Sequence, residues 1–178
     1  MVKFLYDYFN KQVFLDTLVK VSDNICQDNG KKYIDFDRFK EPLNCSDITK
    51  GMNSLSSVDS LLLNEEKKHI VFVEFKDMQK IEDANSLKEW FKAKECNIKI
   101  KIPDSILLLG YFLKKEGYSF NEYIEIEKSF FYVYKSSSSK NIINNHLKHK
   151  FTKYNFMLKD IKIIESQSYM RFLEKENL

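Results

Sequence analysis

Two apolar runs with a short charged stretch between them dominate the hydrophobic pattern of this chain. Val58-Asp59-Ser60-Leu61-Leu62-Leu63 and His69-Ile70-Val71-Phe72-Val73-Glu74-Phe75-Lys76 are rich in branched and aromatic side chains, and Asn64-Glu65-Glu66-Lys67-Lys68 lies between them. The pattern predicts two buried strands joined by a solvated hairpin turn. A period of two puts Ile70, Phe72, Glu74 and Lys76 on one face of the second strand and Val71, Val73 and Phe75 on the other. One face therefore ends in charge.

The rest of the chain reads as helices around that pair. Apolar residues recur at helical spacing from about Phe4 to Ile25, which predicts one long helix or two short ones carrying Asp16 on a polar face. Asp28-Asn29-Gly30 marks a turn, and Tyr33 to Asp37 alternate like a short strand. Residues 40–57, with Pro42, Asn44, Gly51 and Asn53, read as an irregular loop, with or without a short helical turn, leading to Asp59. Ser86 to Phe91 start a helix, and Pro103 suits the first turn of a second helix that runs to about Glu116 and stops before Gly117. Phe130 to Lys135 read as a strand, Asn141 to about Met157 as a basic helix, Ile161 to Ile164 as a closing strand, and the C-terminus as a short helix. This order predicts an α/β protein in which a mixed sheet is flanked by helices, in one domain over residues 1–178.

Composition narrows the class. Six Gly and Pro residues in 178, with 43% hydrophobic positions, describe an ordered globular chain. Cys26, Cys45 and Cys96 are odd in number and widely spaced, which fits neither a disulfide framework nor a zinc knuckle and points to the cytoplasm. The N-terminus lacks a cleavable-signal pattern, and no apolar run reaches the ~18 residues of a membrane span. Net charge is only +3, but residues 140–162 hold six lysines, among them Lys148, Lys150 and Lys153, against Asp160 alone. That stretch suits either a phosphate backbone or a solvated helix face. His69, His146 and His149 have no metal-ligand spacing.

Asp59 and Glu74 are the chemically pointed residues. A carboxylate at the end of a buried strand needs a partner charge, hydrogen bonds or a metal ion, and hairpin pairing brings the start of the first strand beside the end of the second. Two converging carboxylates suit Mg²⁺ or Mn²⁺, and Lys76 on the same face can reach a phosphate or an attacking water. The same residues also fit an ordinary charged pair at a strand end, with Asp59 capping its neighbour. Three other acid-x-lysine strings lack this context: Glu65-Glu66-Lys67 and Glu66-Lys67-Lys68 fall in the turn, and Asp160-Ile161-Lys162 has no nearby upstream aspartate.

Asp59 followed by Glu74-Phe75-Lys76 resembles the signature of the PD-(D/E)xK nuclease superfamily, whose core is a mixed sheet flanked by helices. Val58 stands where the name-giving proline would be. No glutamate precedes Glu41 to supply the first-helix acid of many members, which leaves Asp16 as the substitute. Pro103-Asp104 is rejected as the name-giving pair, because the Glu125-Ile126-Glu127-Lys128 that follows has an acid where lysine is required. The resemblance implies a restriction-endonuclease-like core and a hydrolase, a divalent-metal-dependent endonuclease with DNA ahead of RNA as substrate. Asp59 and Glu74 would hold magnesium or manganese, and Lys76 would serve the nucleophilic water. Lys148, Lys150 and Lys153 are candidate nucleic-acid contacts. A homodimer, or a place in a larger defence or repair assembly, fits this class. The alternatives are a catalytically inactive nuclease-like module that binds nucleic acid or a protein assembly, and a small interaction subunit.

Overall fold

The computed structural model describes residues 1–11, 14–44, 55–79, 81, 83–136, 143–144, 147 and 151–176. Its centre is the hairpin of β3 (Ser60–Asn64) and β4 (His69–Asp77), in which Leu61 pairs with Phe72 and Leu62 with Val71. At the turn Lys68 takes a positive φ of 46°, and the Asn64 side chain accepts from the Lys67 N–H at 2.9 Å. β1 (Leu15–Thr17) and β2 (Lys32–Asp35) extend the antiparallel meander on one side. On the other side β5 (Glu127–Lys135) and β6 (Asp160–Glu165) run parallel to β4, giving a six-stranded mixed sheet in chain order.

Parallel neighbours need long crossovers, and helices supply them. α4 (Ala84–Lys115) and α5 (Phe120–Glu125) connect β4 to β5. They join α1 (Val2–Lys11) over the face that carries Ile34, Leu61, Ile70, Phe72, Phe130 and Tyr132. The opposite face, with Leu62, Val71, Val73, Phe131 and Val133, is covered by α2 (Leu18–Val21) and α6 (Ser166–Lys175). Burial on both faces is why the central strands are continuously apolar. The α/β class and the helix-flanked mixed sheet agree with the pattern read from the sequence.

Four local expectations are corrected. The helical spacing from Phe4 to Ile25 resolves into two short helices, α1 and α2, rather than one long one, and β1 separates them, so Asp16 lies in a strand and not on a helix face. Leu5 and Phe9 pack in one core, whereas Leu18, Val21 and Ile25 pack in the other. The chain passes from one side of the sheet to the other through this edge strand, so two separate stripes mimic one. β2 stops at Asp35, whose carboxylate accepts from the Arg38 N–H at 3.0 Å, and α3 (Phe36–Asn44) begins where alternation predicted strand and loop. Residues 45–54 of the expected loop lie outside the described residues. Residues 143, 144, 147 and 151 are helical, with Ile143, Leu147 and Phe151 buried, but a 3₁₀ turn at Thr152–Tyr154 ends that helix before Met157.

The fourth correction concerns Pro103, which sits inside α4 and does not open a second helix. A helical proline leaves the carbonyl four residues earlier without its N–H partner. Here that carbonyl belongs to Lys99, and the Tyr154 hydroxyl donates to it at 2.5 Å. The compensation comes from a segment more than fifty residues away, which is why local sequence could not reveal it. Asp83 caps the start of α4, accepting from Asn85 and Ser86, and Gly117 (φ 89°) follows its end. Gly110 lets α5 seat against α4, since a Cβ there would stand 2.9 Å from the Tyr123 ring. Tyr154→Phe is expected to cost about 1 kcal/mol through the lost hydrogen bond to the Lys99 carbonyl. Urea unfolding should show a lower midpoint with an unchanged slope; an unchanged midpoint would mean the helix tolerates Pro103 unaided.

No helix among the described residues is long and apolar enough to cross a membrane.

Candidate active site

The antiparallel register sets Ser60 opposite Val73, so the next pair outward brings Asp59 beside Glu74, three residues before the end of β4. Asp59 is turned by its backbone surroundings. Its Oδ2 accepts the Phe75 N–H at 2.6 Å, and its own carbonyl accepts the Phe36 N–H at 3.1 Å. Glu74 points into the core face below it and is 0% exposed. Lys76, two residues on and on the same face, places Nζ 2.5 Å from Glu74 Oε1.

A second lysine, absent from the sequence reading, completes the cluster. Lys101 reaches in from α4, with Nζ 3.2 Å from Asp59 Oδ1 and 2.9 and 2.8 Å from the two Glu74 oxygens. The helix that carries it is tied to the irregular segment leading to Asp59. Asp104 Oδ2 accepts the Ser56 N–H and Ser105 Oγ the Val58 N–H, both at 2.8 Å. A signal for Lys101 existed, because Ile98, Lys101, Ile102 and Ser105 share one helical stripe and three of the four are buried. A lysine on an apolar stripe needs a partner, but reading Pro103 as a helix start hid the stripe.

Burial pushes the Glu74 carboxyl up to about 7, helped by the Asp59 charge and opposed by Lys76 and Lys101. Burial acts to lower Lys101, but Glu74 and Asp59 outweigh it and hold its ammonium above the usual lysine range. The contacts are those of ionised Glu74: two ammonium groups donate to its oxygens, and a carboxyl proton would face a donor. Tyr132, beside Glu74 on β5, adds a buried hydroxyl with no hydrogen-bond partner among the described residues. Burial and then the Glu74 and Asp59 charges keep that hydroxyl protonated far above neutrality.

Asp59 and Lys76 line an open cleft of about 520 Å³, a size that accommodates a nucleotide unit. Lys20 and Arg38 also line it, but five aspartates outnumber the three bases. A bare phosphate would therefore meet net repulsion there. Asp16 does not join Asp59 and Glu74. It pairs with Lys20 at 3.2 Å and Arg38 at 3.7 Å, and the Thr17 N–H, ahead of Lys20, holds its carboxyl below the usual range. Its part is to tether two cations beside the cleft, because β1 carries it along the sheet edge.

Lys153 is exposed and lies 4.9 Å from the ring centre of Tyr154, the residue that bonds α4 next to Lys101. Lys148, Lys150, His146 and His149 lie outside the described residues. His69 bonds Ser129 Oγ at 2.8 Å near the opposite end of β4. Among the described residues, no group of three or more His, Cys, Asp or Glu side chains is placed to hold a metal. What the cluster offers is two carboxylates converging on one cation. Comparison with family models, curated proteins and solved structures finds no match, and the site stands on its geometry.

Proposed function

We propose that this chain is a divalent-metal-dependent nuclease of PD-(D/E)xK type with a restriction-endonuclease-like core, acting on DNA ahead of RNA. The observation that carries the reading is the convergence of Asp59, Glu74 and Lys76 near the C-terminal end of β4, with Asp59 and Lys76 lining a polar cleft. Magnesium or manganese suits the donor set. Both prefer hard oxygen ligands and bind through one or two carboxylates with several waters retained, and the Lys101 ammonium already stands in for a cation between Asp59 and Glu74. The Tyr132 hydroxyl, unpartnered among the described residues and within the field of both acids, adds a polar group suited to a hydrated ion. When bound, the metal supplies Lewis acidity toward a phosphoryl oxygen and the attacking water.

The chain's own groups do the rest. Asp59 and Glu74 hold the cation, and Phe75 fixes the Asp59 rotamer through its N–H. Lys76, about a quarter exposed on the cleft, orients the water and steadies charge developing on the phosphate. Lys20 and Arg38 contact flanking phosphates without reading bases, as do Lys148, Lys150 and Lys153. Because acid outnumbers base in the cleft, nucleic acid binds there only with the metal.

A second reading, a nuclease-like module that binds without turnover, is favoured by one observation: Lys76 and Lys101 already balance the two carboxylates. Incubating plasmid, linear single-stranded DNA and RNA with Mg²⁺, Mn²⁺ or EDTA separates the two. Cutting that EDTA stops supports the nuclease, whereas metal binding without cutting of any substrate favours the module. Metal binding is also expected to strengthen as pH rises from about 6 to about 8, because ligation needs the ionised carboxylate and Glu74 is pushed up to about 7. A Mn²⁺ affinity flat across that range would mean either that Glu74 is not a ligand or that Lys76 and Lys101 keep it ionised throughout.

A further inference from the structure

Lys101 sits where a bridging cation would sit. One ammonium touches Asp59 Oδ1 at 3.2 Å and the two Glu74 oxygens at 2.9 and 2.8 Å, so a single charge holds both acids together. Mg²⁺ bridging these acids needs oxygens at about 2.0–2.1 Å. It and the ammonium would compete for one point, and two cations so close repel strongly in a poorly solvated site.

The helix backbone under Lys101 is fixed relative to the acids. Asp104 and Ser105 hold the segment before Asp59, and Tyr154 holds the Lys99 carbonyl. The lysine stem is flexible and its side chain is 19% exposed, so it can withdraw while the helix stays in place. Lys76 differs: among the described residues its ion pair is with Glu74 and not with Asp59, and it reaches in from the cleft side.

We propose that Lys101 is a displaceable counter-ion built into the site. It clamps Asp59 and Glu74 together in the metal-free protein, and a divalent cation enters only by expelling it. Metal binding is then an exchange of ammonium for metal, which keeps the acids organised beforehand and sets a threshold concentration for loading. This role rests on the reading of Asp59 and Glu74 as metal ligands.

Mn²⁺ titration followed by electron paramagnetic resonance tests it on wild type, Lys101→Met and Lys76→Met, with circular dichroism to verify folding. An ammonium that fills the site roughly nine-tenths of the time weakens apparent affinity about tenfold. Lys101→Met should therefore bind Mn²⁺ about tenfold tighter than wild type, with Lys76→Met changing less, and its Tm should rise more on adding Mn²⁺. In wild type, acetic anhydride labelling read by mass spectrometry should find Lys101 several-fold more reactive at saturating Mg²⁺; this arm decides the matter if Lys101→Met does not fold. Equal or weaker Mn²⁺ binding by folded Lys101→Met, or a Lys101 that stays protected in metal-saturated wild type, overturns the exchange and leaves the metal site standing. No Mn²⁺ binding by either folded protein removes the metal site and the exchange with it.

Discussion

Alanine at Glu74 is expected to remove metal-dependent cleavage, a loss of roughly 100-fold or more. Glu74 is fully buried and contacts both lysines of the cluster, so no neighbouring side chain can assume its position. Glu74→Gln keeps the shape while discarding the charge and should be equally inactive, which separates lost chemistry from lost packing. Lys76→Ala should lose a similar factor in rate while still binding Mn²⁺, since its ammonium faces the cleft and is not a metal ligand. Asp16→Asn serves as the contrast. Its bonds are to Lys20, Arg38 and the Thr17 backbone, so the rate should stay within about threefold of wild type, the scale of a partly exposed ion pair. Cleavage that survives both Glu74 variants would sink the assignment of this site, and a collapse in Asp16→Asn would restore that residue as a third acid.

Phe72→Ala is expected to destabilise the protein by about 3–5 kcal/mol, a large part of the usual 5–15. Phe72 is 0% exposed on β4, two residues before Glu74, and meets Phe36 edge to face with ring centres 6.5 Å apart. Truncation removes apolar surface from the core and leaves a cavity between the sheet and α3. For a chain of this size the Tm should fall by roughly 10 °C. Leu107→Ala, on the exposed side of α4 at 52% exposure, should stay within about 0.5 kcal/mol of wild type. Calorimetry of the two variants makes the comparison, and similar Tm values would mean that β4 is not the packed centre of the fold.

The local patterns in the chain carried far. Alternation over residues 58–76 located β3, the turn and β4, because side chains on a strand alternate with period two and a charged stretch between apolar runs forms a turn. From that pairing followed the approach of Asp59 to Glu74 and the shared face of Lys76. Gly117 marked the end of α4, since a positive φ there suits glycine. Each of these depends on residues close in sequence or paired across one turn.

Where distant segments compensate one another, sequence was silent or misleading. Pro103 resembles a helix start locally, yet the hydroxyl of Tyr154 satisfies the carbonyl it orphans and lets the helix continue. Asp16 looks like a helix acid, yet passage of the chain around the sheet edge converts it to a strand residue paired with Arg38. Lys101 looks like one cation in a lysine-isoleucine repeat, yet it lies against two carboxylates 42 and 27 residues away. By itself the sequence determined the sheet's central hairpin and the pair of acids at its end, through periodicity and register. Only the tertiary structure decided which cation balances those acids, because a buried charge is satisfied by what packing brings near it in space and not by its neighbours along the chain.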